Sequence, residues 1–170
     1  MLVKRLLYTF FAVGFITLSG CKISYSFTGA DIPAQANTFS VELFQNDAPL
    51  ADPNYPLDIT EDLKDLLLSQ SGLDLIKRDG DLQFSGIITE YVVTPQALSG
   101  NETAAKNRLT ISLSVSYVNT FEEEKNFEQR FSRFAEFDAT QDISVVKESL
   151  IEEINEQLVQ DIFNASLGNW

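Results

Sequence analysis

The sequence predicts an α+β fold, a two-layer sandwich in which two helices pack on one face of a mainly antiparallel, four-stranded sheet. Three observations support this class. Several segments alternate apolar and polar residues, which is the pattern of half-buried strands. Two other segments repeat apolar residues at helical spacing and therefore predict amphipathic helices. The last three strands follow one another closely, so they can pair as an antiparallel meander whose apolar face both helices cover.

The first strand is predicted over residues 38–45, where Phe39, Val41 and Leu43 share one face. A proline-containing loop follows it and reads as an extended connection. We assign the folded domain to residues 38–170, because this strand is the first predicted element of the mature chain.

The first helix is predicted from Asp58, which can cap its start, with Glu61 completing a capping box three residues later. Its apolar stripe consists of Ile59, Leu63, Leu66 and Leu67. Gly72 is a natural C-terminal stop, because glycine readily adopts a left-handed conformation. Residues 73–76 are consistent with a short strand after it.

A long strand is predicted over residues 81–94, after a turn at Asp79-Gly80. One face carries Leu82, Phe84, Ile88 and Val92. Gly86 lies on the same face and predicts a bulge or the close approach of a helix.

The clearest strand covers residues 107–119, with one apolar face and one face lined by Ser and Thr. A further strand is predicted over residues 127–137. The hydroxyl-lined face would also carry Tyr91 and Phe134, and an uncovered face with aromatic side chains suits a partner surface.

The second helix is predicted to begin at Asp142 or Ser144 and to end at about residue 167. Its apolar stripe is formed by Val146, Leu150, Ile151, Ile154, Leu158, Ile162 and Phe163. Acidic side chains lie largely on the opposite side, which indicates a solvated face.

Residues 1–20 have the layout of a secretory signal peptide, with Lys4 and Arg5 before a short apolar run and small residues before Cys21. The ending Leu-Ser-Gly-Cys matches the lipobox of bacterial lipoproteins. It indicates that Cys21 is the lipidated first residue of the mature chain and that residues 21–37 form a tether. An ordinary cleaved signal or an N-terminal anchor helix are the alternatives.

The mature chain is strongly acidic. Without Lys4 and Arg5, 10 of the 12 basic residues remain against 25 acidic ones, a formal charge of about −15. Acidity of this size argues against nucleic-acid binding and against adsorption on anionic lipid surfaces.

The composition excludes several kinds of chemistry. The sequence contains no histidine and a single cysteine, so Ser-His and Cys-His nucleophile systems and most transition-metal sites are excluded. We expect no catalytic residues, no metal and no cofactor. A carboxylate-pair hydrolase stays open, although the acidic pairs fall in a predicted turn and on a solvated helix face.

The few basic residues mark a candidate contact site. Lys106 and Arg108 flank the start of the hydroxyl-lined strand beside a polar loop. Arg130 and Arg133 fall on opposite faces of the next strand by the period of two. These cations can bind an anionic amphiphile, or they can pair with carboxylates on neighbouring strands.

Motifs along most of the mature chain resemble a known family. They are the lipobox and the stretches 25–29 (YSFTG), 32–33 (IP), 81–86 (DLQFSG), 100–105 (GNETAA) with 108–110 (RLT), and 131–135 (FSRFA). Together they resemble the LptE family of lipopolysaccharide-assembly lipoproteins, in the form seen in Bacteroidetes.

The resemblance implies a non-enzymatic lipoprotein on the periplasmic side of the outer membrane, which plugs the LptD-type β-barrel and assists its assembly. It implies that basic residues near a loop contact lipopolysaccharide or the barrel, and Lys106 and Arg108 are the nearest candidates. Lys22, after the cysteine, is not the Asp that retains lipoproteins at the inner membrane. A pilot lipoprotein of another envelope machine, or a lipid-anchored carboxylate-dependent hydrolase, are the rival functions.

Overall fold

The computed structural model describes residues 31–97 and 105–168. The signal peptide, Cys21 and most of the tether lie outside the described residues, as does most of the loop before Lys106. The helices and strands, in chain order, are β1 (Thr38–Val41), β2 (Gln45–Asn46), α1 (Tyr55–Ser71), β3 (Asp74–Leu75), β4 (Leu82–Gln96), β5 (Lys106–Asn119), a 3₁₀ turn (Glu123–Lys125), β6 (Phe127–Asp138) and α2 (Ile143–Leu167).

The α+β class and the two helices are confirmed, but the predicted four-stranded, mainly antiparallel sheet is wrong. The described sheet has 6 strands in the order β3-β1-β4-β5-β6, with β2 paired to β4. β4, β5 and β6 form the expected antiparallel meander. β1 runs parallel to β3 and β4, and β2 runs parallel to β4. The predicted strand over residues 38–45 is divided into β1 and β2, and the short strand expected at residues 73–76 joins the sheet as β3, which raises the count from four to six.

The parallel part of the sheet depends on a close crossing at Gly80. The chain leaves β3 on one side of β1 and enters β4 on the other, so it must cross β1. A Cβ on Gly80 would lie 2.5 Å from the backbone nitrogen of Ser40. The Gly80 N–H donates to Ser40 Oγ at 3.2 Å. Only a residue without a side chain fits this crossing.

Two local predictions in the first half of the chain are corrected. The alternation of β1 stops after Val41, so Leu43 is 62% exposed and Phe44 enters the core instead. The first helix begins at Tyr55 rather than Asp58, with Asn54 at the N-cap and no side-chain cap. Proline at the first turn removes a backbone donor that would otherwise need a partner, and Asp58 lies within that turn.

The ends of both helices otherwise follow the prediction. Gly72 closes α1 with a φ of 71°. At the start of α2, Asp142 Oδ1 accepts a hydrogen bond from the Ser144 N–H at 2.9 Å.

The two faces of β5 have different surroundings. The helix-covered face carries the fully buried residues Leu109, Ile111, Leu113 and Val115. The open face carries Thr110, Ser112, Ser114 and Ser116. Both helices contact the helix-covered face. Arg133, which pairs with Ile111 in register, binds Asp161 of α2. Tyr91, the other neighbour of Ile111, makes an edge-to-face ring contact with Tyr55 of α1.

A β-bulge corrects the predicted faces of β4. The register shifts between Ile88 and Glu90, so Tyr91 opposes Ile111 and Val92 opposes Thr110. Tyr91 is therefore buried on the helix-covered face, and Val92 lies on the open face, the reverse of the prediction. Gly86 does mark a close approach, but of a side chain: its Cβ would lie 2.5 Å from the ring of Phe44.

Candidate functional site

Lys106 and Arg108 lie together at the start of β5, at one end of the sheet. Arg108 Nη2 lies 2.5 Å from Glu136 Oε1, and Lys106 Nζ lies 3.5 Å from Glu136 Oε2. The Arg108 guanidinium carbon lies 3.9 Å from the centre of the Phe134 ring. We call Lys106, Arg108, Phe134 and Glu136 the tip cluster.

The tip cluster combines one surplus positive charge with an exposed ring. The hydrogen bond from Arg108 and the two nearby positive charges hold the pKa of Glu136 below its ordinary value. Phe134 is 48% exposed, and the guanidinium lies over its ring in a cation–π contact. The cluster therefore offers an apolar surface beside donors for an anionic group, which is suited to contact with a protein or an amphiphile.

The middle of the open face is a closed polar network. Ser112 Oγ donates to Glu90 Oε2 at 2.9 Å and lies 2.9 Å from Ser132 Oγ. Arg130 Nη2 donates to Glu90 Oε2 at 2.6 Å and to Ser112 Oγ at 3.1 Å. The sequence left two roles open for Arg130, binding an anionic amphiphile or pairing with a neighbouring carboxylate. The structure shows the pairing. Ser112 is fully buried under this network, although the alternation placed it on an exposed face.

Arg133 points to the other face, as its position in the strand predicted. Its Nε and Nη2 donate to the two carboxylate oxygens of Asp161 at 2.6 and 2.7 Å. This bidentate pair joins β6 to α2 and raises the pKa of Arg133. It occupies the arginine in a structural contact.

A groove between the two helices is acidic. It has a volume of about 580 Å³, and its lining includes Asp62, Asp65, Glu152 and Glu156. All four carboxylates are exposed. Although Asp62 is exposed as a whole residue, partial desolvation of its carboxyl group raises its pKa, and the hydrogen bond from Asn155 Nδ2 at 2.7 Å opposes this shift. A carboxylate hydrolase would need two carboxylates withdrawn from the surface into one cleft, and this groove does not provide them.

Two further observations concern the described residues as a whole. Over residues 31–97 and 105–168, no group of three or more metal-binding side chains is arranged to hold a metal ion. Neither α1 nor α2 is long and apolar enough to cross a membrane. Cys21, the predicted lipidation site, lies outside the described part of the chain.

The fold belongs to a class of small α+β domains with two helices against one sheet. A hypothetical protein from Chlamydia trachomatis superimposes with a TM-score of 0.51 at 12% identity, covering 77% of this chain and 98% of that one. A neuraminyllactose-binding hemagglutinin homolog from Helicobacter pylori gives 0.51 at 9% identity, covering 83% and 88%. A minor lipoprotein from Acinetobacter baumannii gives 0.47 at 14%, covering 78% and 97%.

The family is defined by the sequence. Residues 36–166 match the family model of LptE, lipopolysaccharide-assembly, and the chain belongs to that family. No curated protein matches the chain in sequence. The family is one of assembly lipoproteins rather than enzymes, and it assigns this protein to lipopolysaccharide assembly at the bacterial envelope.

Proposed function

We propose that the protein is anchored through Cys21 to the periplasmic side of the outer membrane and plugs an LptD-type β-barrel. In this role it assists assembly of the barrel and the passage of lipopolysaccharide to the cell surface. The match of residues 36–166 to the LptE family carries this proposal. The arrangement of the two ends and the two faces of the domain supports it.

The tip cluster lies far from the end at which the tether enters. The Asp31 N–H donates to the Leu167 carbonyl at 2.6 Å, and Asp31 Oδ2 accepts from Lys125 Nζ at 2.8 Å. Both contacts lie near the end of β5, whereas Lys106 and Arg108 lie at its start. A 14-residue strand spans roughly 45 Å at about 3.4 Å per residue. A domain anchored at the tether end can therefore insert its tip cluster deep into a barrel.

The open face is suited to lie against a protein wall. Its central strand has small hydroxyl side chains, and its cations Lys106, Arg108 and Arg130 are all paired with carboxylates. The acidic groove lies on the helix side instead. A face whose positive and negative charges are paired has a smaller desolvation free energy than a face with many unpaired charges. We therefore assign the barrel contact to the open face and the tip cluster.

The test is recovery of the barrel with Lys106→Glu and Arg108→Glu combined. The variant should melt close to the parent, because both side chains lie at the end of the sheet, yet recover several-fold less barrel in mild detergent. Lys64→Glu with Lys147→Glu is the matched control, since it makes the same charge change and breaks two helix-side ion pairs.

The result discriminates between contacts. Loss of barrel recovery in the tip variant alone supports docking, and loss of binding to purified lipopolysaccharide alone identifies a lipid site. If the tip variant changes neither barrel recovery nor lipopolysaccharide binding, the assignment of Lys106 and Arg108 is wrong. The same holds if the control variant loses as much barrel recovery as the tip variant. Separately, Cys21→Ser should abolish incorporation of radioactive fatty acid, and label in that variant would refute the anchor.

A further inference from the structure

Lys77 and Arg78 differ from the other cations of residues 31–97 and 105–168, because neither forms an ion pair there. The remaining Lys and Arg side chains of these ranges each bind a carboxylate, namely Lys64, Lys106, Arg108, Lys125, Arg130, Arg133 and Lys147. Both unpaired residues are exposed and lie just after β3, separated from it by Ile76. In a chain with a formal charge of −13, two adjacent unpaired cations are an unusual feature.

A small hollow lies beside them, between α1 and the β1–β3 edge of the sheet. Its volume is about 290 Å³, and it is lined by Val41, Lys64, Leu75, Ile76 and Lys77. The lining is apolar apart from the two lysines, whose alkyl stems can cover apolar surface while the ammonium groups stay in water. The hollow is large enough for one aliphatic or aromatic side chain.

The backbone at this edge is also free to pair. The N–H groups of Asp74 and Ile76 donate to β1, to the carbonyls of Asn37 and Phe39, both at 2.9 Å. Leu75 between them therefore directs its own N–H and C=O away from β1, because successive residues of a strand alternate in direction. β3 is the last strand on this side of the sheet. Unpaired edge groups of this kind are a template for an added strand.

We propose that the β3 edge binds an extended, acidic segment of a partner protein. The segment would pair its backbone with Leu75, place one apolar side chain in the hollow and bring carboxylates to Lys77 and Arg78. This mode joins main-chain hydrogen bonds with a side-chain pocket, the general logic of strand addition. It goes beyond the barrel contact proposed above, because it uses the β3 edge of the sheet rather than the open face, and different cations.

A protein segment fits these observations better than a lipid. An anionic lipid headgroup can pair with the charges of Lys77 and Arg78. It does not supply the backbone carbonyl of an added strand, which would accept a hydrogen bond from the outward N–H of Leu75. The outward backbone of Leu75, the two cations and three of the five residues that line the hollow lie within residues 74–78, and an extended chain can use all three features at once.

The experiment uses the mature chain carrying Cys21→Ser and a fluorescent heptapeptide of alternating Glu and Val. We expect saturable binding with chemical-shift changes at the backbone amides of residues 74–78. Lys77→Gln with Arg78→Gln should weaken binding about tenfold, since two surface charge contacts are lost. The matched control, Lys106→Gln with Arg108→Gln, should leave it unchanged.

Two further probes separate strand addition from other binding. A peptide of the same sequence with N-methylated amides keeps its charges but cannot pair, and it should bind at least tenfold more weakly. Vesicles containing phosphatidylglycerol test the lipid alternative. The proposal is overturned if the heptapeptide does not bind, or if the methylated peptide binds equally well. It is also overturned if both double variants lose the same affinity for the heptapeptide. Vesicle binding that requires Lys77 and Arg78, without peptide binding, would assign the edge to lipid instead.

Discussion

The two faces of β5 are built from one alternating segment but are stabilised in different ways. On the helix-covered face, Leu109, Ile111, Leu113 and Val115 are fully buried and depend on close apolar packing. On the open face, Ser112 is as deeply buried, but by a network with Glu90, Arg130 and Ser132. Burial on the first face follows from hydrophobicity. Burial on the second follows from which polar groups the neighbouring strands bring together.

The largest effect expected from this difference is at Ile111. Ile111→Asp should unfold the domain, because a charge without a partner would lie in the core, at a cost on the order of 4 kcal/mol or more. Ser114→Asp, on the open face opposite Arg130, should change the free energy of unfolding by less than about 1 kcal/mol. Urea denaturation of both variants measures the difference. Similar losses would show that the two faces are not distinct environments.

The helix-covered face could be predicted because its information is local. The stripe of α2, the cap at Asp142 and the stop at Gly72 each depend on residues within one or two turns of helix, and all are confirmed. The alternation in β5 likewise assigns Leu109, Ile111 and Leu113 to the core without knowledge of any partner.

The open face could not be predicted because it depends on register. The bulge between Ile88 and Glu90 brings Glu90 opposite Ser112 and exchanges the faces of Tyr91 and Val92. Gly86 predicts a bulge or a close approach in this strand, but no neighbouring residue indicates that the bulge lies between Ile88 and Glu90. The sequence predicts strand structure at residues 38–45 and 73–76 but not its parallel pairing, since that pairing depends on a crossing at Gly80 rather than on the pattern of these segments.

The candidate site shows the same division. The adjacency of Lys106 and Arg108 follows from their spacing on a strand, whereas their shared Glu136 and the stacking on Phe134 come from the β5–β6 register. Lys77 and Arg78 stand together in the sequence, but their lack of carboxylate partners is visible only in the fold. Cys21 lies outside the described residues and stays a prediction.

A smaller effect tests whether the network at Ser112 stabilises the open face. Ser112→Ala removes the hydroxyl that joins Glu90, Arg130 and Ser132, and it should lower the free energy of unfolding by about 1–2 kcal/mol. Ser116→Ala is the control on the same face, because Ser116 forms no side-chain hydrogen bond within the described residues. It should change stability by less than about 0.5 kcal/mol. Chemical denaturation that finds equal effects would show that the network adds nothing.

The smallest effect concerns charge, where the two sides of the molecule should respond to pH in opposite directions. The pKa of Glu136 on the open face lies below its ordinary value of 4.5, chiefly because of the hydrogen bond from Arg108. The folded state therefore releases this proton more readily, and its stabilisation is present above pH 4.5 and lost as the pH falls through the lowered pKa. The pKa of Asp62 on the helix side lies above 3.8, chiefly because of burial. Its ionisation opposes folding, so stability falls as the pH rises from 3.8 through the raised pKa.

Glu136→Gln and Asp62→Asn separate these two contributions. At pH 7, Glu136→Gln should lower the melting temperature, while Asp62→Asn should raise it slightly, because the amide oxygen can still accept from Asn155 Nδ2. As the pH falls through the raised pKa of Asp62, the gain from Asp62→Asn should disappear, and as it falls from 4.5 through the lowered pKa of Glu136, the loss from Glu136→Gln should disappear. Melting curves from pH 3 to 7 measure both variants against the parent. If both variants change the melting temperature in the same direction at pH 7, desolvation does not destabilise the ionised Asp62. The contrast between an open face with paired charges and an acidic groove without ion pairs would then be wrong.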